Sequence, residues 1–124
     1  SSTSRGLGDV YKRQMLGFLH GARVAESEGF DVAEFGRIVA GIMPTFAAFL
    51  LHEGAVIQSG DFQISQSPMR ISVEATQRIL QTARESGINS EFPAFAAGLF
   101  QRADAAGLGG EELAALIKLL RVPN

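Results

Sequence analysis

From Met15 almost to the end of the chain, apolar residues recur three and four positions apart, interrupted at intervals by turn-type residues. That is the period of an α-helix, and no segment shows the strict alternation of a half-buried strand. Met15, Leu16, Leu19 and Ala22 form the first stripe, which Gly29 ends in the manner of a C′ residue. Asp31 then has the character of an N-cap, and Glu34 three residues later completes an acidic capping box. Val32, Phe35, Ile38, Val39 and Ile42 are expected on the inner face of this second helix. Pro44 lacks an N–H and crowds the preceding turn, so it is expected to end that helix and open a third. Phe46, Phe49, Leu50 and Val56 supply the third helix's apolar face.

Ser59-Gly60-Asp61 breaks the pattern, and 62–67 has the composition of a polar loop. Pro68 opens a long helix carrying Met69, Val73, Thr76, Leu80 and Ala83, capped by Gly87. Phe92, Phe95, Ala96, Leu99, Phe100 and Ala103 mark the next. After Gly107-Leu108-Gly109-Gly110, a last helix holds Leu113, Leu116, Ile117 and Leu120. The expectation is an all-α domain of about six helices, with no internal repeat.

Residues 1–14 are different in kind. They are rich in Ser, Gly and Arg, lack a sustained apolar period and resemble translated adapter sequence, so they are read as a non-native or disordered tail. The helical domain is then 15–122. Gly6-Leu7-Gly8 is no dinucleotide fingerprint, because no strand precedes it and Tyr11 stands where the third glycine belongs.

Composition narrows the function classes. The chain is 46% apolar and 19% charged, which suits a packed domain rather than a disordered one. It has no cysteine, which removes disulfides, thiolate metal sites and a cysteine nucleophile. A net charge of −2 without a basic run makes nucleic acid a poor partner. The most apolar stretch, 42–57, is interrupted by Pro44, His52 and Glu53, short of the roughly 18–20 apolar residues of a membrane-spanning helix. A cytoplasmic protein with no membrane partner is the expectation.

Chemistry-bearing motifs are few. His20 and His52 lie in different helices, and His52-Glu53 lacks the second histidine of a zinc-protease motif. No metal is expected, and each histidine is read as a partly buried polar group satisfied by a neighbour. No GxSxG elbow occurs. The Phe-rich faces are read as core, and Glu111-Glu112 as first-turn charge at a helix N-terminus.

Four stretches, in this order and separation, resemble the C-terminal domain of the NADPH-dependent imine reductases and reductive aminases. They are Gly17-Phe18-Leu19-His20-Gly21 with Ala25-Glu26-Ser27-Glu28-Gly29 and Asp31; Ile42-Met43-Pro44 leading into Ala47-Ala48-Phe49-Leu50; Thr82-Ala83-Arg84-Glu85-Ser86-Gly87-Ile88; and Ala105-Ala106-Gly107-Leu108-Gly109-Gly110-Glu111-Glu112-Leu113.

The resemblance implies the helical dimerisation domain of the 6-phosphogluconate and β-hydroxyacid dehydrogenase-like superfamily, here without its Rossmann domain. It implies NADPH held mainly by that other domain, an intertwined homodimer, and hydride transfer to a small-molecule imine. The chain alone would be inactive. Where hydroxyacid dehydrogenases carry a Lys-Asp pair, this chain has Glu74 and Ala75, which favours the imine-reducing branch. The family's catalytic position falls near Ser4, inside the tail, so no catalytic residue is assigned. The tryptophan that many imine reductases carry before the proline is replaced by Ile42 and Met43. Ile42, Met43 and Phe46 are thereby implied to face the substrate, the alternative being that all three are core. A β-hydroxyacid dehydrogenase domain and a non-catalytic helical binding module remain as alternative functions.

Overall fold

The computed structural model describes residues 1–123. Within them the chain forms four long helices, α1 (Ser2–Ser27), α2 (Val32–Ser59), α3 (Met69–Glu85) and α4 (Glu91–Ala105). A 3-10 turn (Leu113–Leu116) runs into a single helical turn, α5 (Ile117–Leu120). No strand occurs among the described residues, as the periodicity predicts.

The punctuation works as expected. Gly29, Gly87 and Gly107 adopt φ of 77°, 68° and 85°, which turns the chain so that the next amide reaches back to close the helix. Phe30, Ile88 and Leu108 thus donate to the carbonyls of Ala25, Ala83 and Ala103 at 2.9, 3.1 and 3.0 Å. Asp31 accepts the amide of Glu34 at 3.0 Å, capping α2. Replacing it, Asp31→Ala, is expected to lower stability by about 1 kcal/mol in urea denaturation, the usual worth of one such cap.

Two boundaries differ from expectation. Pro44 sits inside α2 rather than between two helices. The carbonyl it leaves unpaired, four residues back, belongs to Ala40, which is exposed, so water can satisfy it and the helix need not end. The segment 1–14 is continuous with the domain, since α1 runs unbroken from Ser2 to Ser27. Its described side chains are nonetheless all exposed, and it meets the domain through Tyr11 and Gln14, which line a groove between α1 and α2.

The core lies towards the C-terminal end of α2. Val56, Phe62, Met69, Ala103, Leu108 and Ala115 form it, with Val73 and Phe100 packed against them. Here α3 and α4 lie side by side, and the 3-10 turn packs against α2 and α3. α1 meets α2 more narrowly, through Phe18 and Phe35, whose ring centroids are 5.7 Å apart. A Cβ at Gly21 would come within 2.9 Å of the Phe35 ring, so that approach requires the glycine.

Away from this end the predicted inner faces are bare. Met15, Leu16, Leu19, Val32, Ile38, Ile42, Phe46 and Leu50 are all exposed, whereas the stripe expectation placed them inside. Residues 41–48, more than two full turns, are exposed without exception. An apolar period identifies the face that avoids water; it does not say whether the covering element belongs to the same chain.

Candidate functional site

The three residues implied to contact substrate sit together on the middle of α2, and they are not core: Ile42 is 56% exposed, Met43 41% and Phe46 40%. Two apolar grooves meet at this point. One, of about 460 Å³ between α1 and α2, is lined by Met15, Phe18, Phe35, Val39, Met43 and Phe46. The other, of about 490 Å³, is lined by Ile42, Thr45, Phe46, Ala48 and Phe49 of α2 and by Gln66 from the loop before α3. Phe46 forms the ridge between them, and its ring lies 6.4 Å from that of Phe49.

The loop carrying Gln66 is built on a buried acid pair. Glu112, with no exposed surface, accepts the amides of Ser65, Gln66 and Ser67 at 2.9–3.0 Å. Backbone bonds add to this grip, from Glu112 to the Phe62 carbonyl at 2.9 Å and from Leu113 to the Ser67 carbonyl at 2.8 Å. Beside Glu112 lies Glu53 of α2, only 8% exposed, accepting the Ala114 amide at 3.0 Å. Its other oxygen is 2.7 Å from His52 Nδ1, while His52 Nε2 is 3.2 Å from the Ser65 hydroxyl. With the hydrogen on Nδ1, Ser65 donates to His52 Nε2 and His52 donates to Glu53.

The two carboxyls titrate apart. Burial pushes the Glu112 carboxyl up, but three converging amides outweigh it and hold the group at about 2. Burial, and then the hydrogen bond to Glu112, push Glu53 the other way, above the usual carboxylate range. One ionised and one protonated carboxyl sharing a proton is the state these environments favour.

His52, Glu53 and Glu112 bring ligand-type atoms within 4.8 Å of one another, a donor set suited in kind to a divalent cation. Amides already engage Glu112 and Glu53, and His52 is engaged by Glu53 and the Ser65 hydroxyl, so the trio closes on itself through hydrogen bonds. Its geometry is that of a clamp holding a loop.

His52 is therefore satisfied by neighbours, as expected, but His20 is not. Its Nε2 is buried with no hydrogen-bond partner among the described residues, and it lines a third groove with Val24, Phe35, Thr76, Ile79 and Phe92. The acidic pair at 111–112 also departs from the expected first-turn charge. Only Glu111 is partly accessible, bound to Lys118 at 2.7 Å, and Glu112 is interior. Neither Gln66 nor the clamp is evident from the sequence. The one signal it holds is Glu53, a carboxyl placed inside the apolar run 42–57.

Comparison with known proteins places this geometry. Residues 7–122 match the family model for the NADPH-dependent reductive aminase-like C-terminal domain. Among solved structures, a reductive aminase from Aspergillus terreus in complex with NADPH and ethyl levulinate superimposes with a TM-score of 0.90 at 26% identity. The match covers 98% of this chain and 42% of that one. The same organism's reductive aminase with NADPH4, cyclohexanone and allyl amine gives 0.87 at 26% identity, over 94% of this chain and 41% of that one. An imine reductase from Bacillus cereus gives 0.91 at 18%, covering 98% and 42%, a likeness of fold alone. The chain thus spans less than half the length of these solved relatives. No curated protein matches it. By a match that extends over nearly all its residues, the chain belongs to the NADPH-dependent reductive aminase-like family, as a C-terminal domain of it.

Proposed function

We propose that this chain is the substrate-binding and dimerisation domain of an NADPH-dependent reductase acting on imines, paired in use with a nucleotide-binding domain. The observation that carries the proposal is the exposed apolar centre of α2. There Ile42, Met43 and Phe46 front two grooves on a helix whose 18-residue apolar window, mean hydropathy 1.4, has no buried residue. The window is also long and apolar enough for a membrane. On this reading a second protein surface covers it, in a cytoplasmic homodimer.

The chemistry rests on a division of labour. NADPH, when bound by the other domain, supplies the hydride. This chain's part is to present an apolar wall that takes up the hydrocarbon body of the substrate and excludes water from its C=N bond. An imine formed from a ketone and an amine, such as the pair bound by the Aspergillus terreus enzyme, fits a groove of this size and polarity.

A chimera tests this. Residues 15–122 joined to the nucleotide-binding domain of the Aspergillus terreus enzyme should oxidise NADPH in the presence of cyclohexanone and allyl amine. Ile42→Asp in the chimera should cut kcat/KM by roughly tenfold or more, because it places a charge against the apolar substrate. A folded, NADPH-binding chimera with no turnover would count against the reading.

A further inference from the structure

We infer that Gln66 is a specificity-determining residue of the α2 groove, providing the hydrogen bond that recognises a polar substituent on an otherwise apolar substrate. The inference rests on the reading of that groove as substrate-binding and adds to it a residue and a chemical preference.

Five of the six lining residues come from α2, and of these only Thr45 is polar. Gln66 alone comes from the facing loop, so it sets the polarity of the opposite wall. Its backbone is held on both sides. Its own amide and those of Ser65 and Ser67 end on the interior carboxylate of Glu112, and the Ser67 carbonyl accepts from Leu113. Its side chain, by contrast, is exposed and takes part in no hydrogen bond among the described residues. A free carboxamide on a pinned backbone loses only its own rotamer freedom on binding a ligand.

The carboxamide offers both an N–H donor and a carbonyl acceptor. It therefore serves a ketone, ester or amine group equally, while a purely hydrocarbon ligand leaves it without a partner. A groove that combines an apolar floor with one such group discriminates by the hydrogen bond rather than by size. Sequence gives this loop no role beyond being polar, because nothing local to Gln66 marks it. Only the contact with Glu112, 46 residues away, directs it to the groove.

The test is a binding comparison on the 124-residue chain, following backbone and side-chain resonances of Ile42 and Phe46 by NMR. The probes are cyclohexanone, which has a carbonyl, and toluene, which has no hydrogen-bonding group. In the wild-type chain both should shift these resonances. Gln66→Leu, an exposed change that leaves the backbone amide in place, should weaken cyclohexanone about three- to tenfold, the worth of one neutral hydrogen bond. Toluene should bind the variant as well as before or better. Equal cyclohexanone affinity in both proteins, with both probes still shifting Ile42 and Phe46, overturns the inference and leaves the groove reading standing. If neither probe perturbs those residues in the wild-type chain, the groove reading fails and takes the inference with it.

Discussion

Removing the Glu112 carboxylate should be the most damaging single change in the chain: Glu112→Ala is expected to cost about 3 kcal/mol or more of stability. The side chain is wholly interior and accepts three successive amides, so its loss leaves three part-buried donors without their acceptor rather than merely deleting one bond. The depressed titration points to the same size. A carboxyl at about 2 when folded, against 4.5 ordinarily, stores about 3 kcal/mol at neutral pH. Against the roughly 5–15 kcal/mol that holds a domain together, that is a large share.

The pH dependence has two limbs with opposite signs. For Glu112 the folded state favours the charged form, so its contribution is complete above 4.5 and disappears as pH falls towards about 2. For Glu53 the folded state favours the protonated form, so its contribution is complete below the ordinary carboxylate value and is lost as pH rises through the raised one. Denaturant titrations from roughly pH 2 to pH 9 should show both limbs. Glu53→Gln should abolish the upper limb and spare the lower; retention of the upper limb in that variant would show that the acid pair does not cause it.

The second large effect concerns association. The chain should sediment as a dimer at micromolar concentration, and the double variant Ile38→Asp with Leu51→Asp should be monomeric. Ile38 is 51% exposed and Leu51 79%, so neither substitution disturbs much intrachain packing, and helix content should persist. Burying two such side chains across an interface is worth about 4 kcal/mol, close to a thousandfold in Kd. A wild-type chain that sediments strictly as a monomer would leave the bare face of α2 without the cover proposed for it. The same result would leave the orphan His20 Nε2 with no prospect of a partner from a second copy.

The local grammar of the chain is open to inspection residue by residue. Asp31, Gly29, Gly87 and Gly107 all stand at the helix ends they signal, whereas the Glu34 side chain binds Arg37 instead of closing the expected capping box. The family resemblance rests on these same stretches, and the match over 7–122 agrees with it. Pro44 misleads, because its clash is a cost that a long helix can absorb when the freed carbonyl faces water. The last predicted helix misleads too. Glu112 turns inward instead of opening a regular helix, and the chain after it manages only a 3-10 turn and one helical turn.

Sequence alone decided what depends on residues three to six apart: helical class, caps, turns and the apolar stripes. Tertiary structure decided what those stripes and charges face. Glu112 became the anchor of a loop 45–47 positions away, and Ile42, Met43 and Phe46 became a surface rather than a core. The reason is physical: helix formation answers to neighbours along the chain, whereas burial answers to whatever arrives from elsewhere.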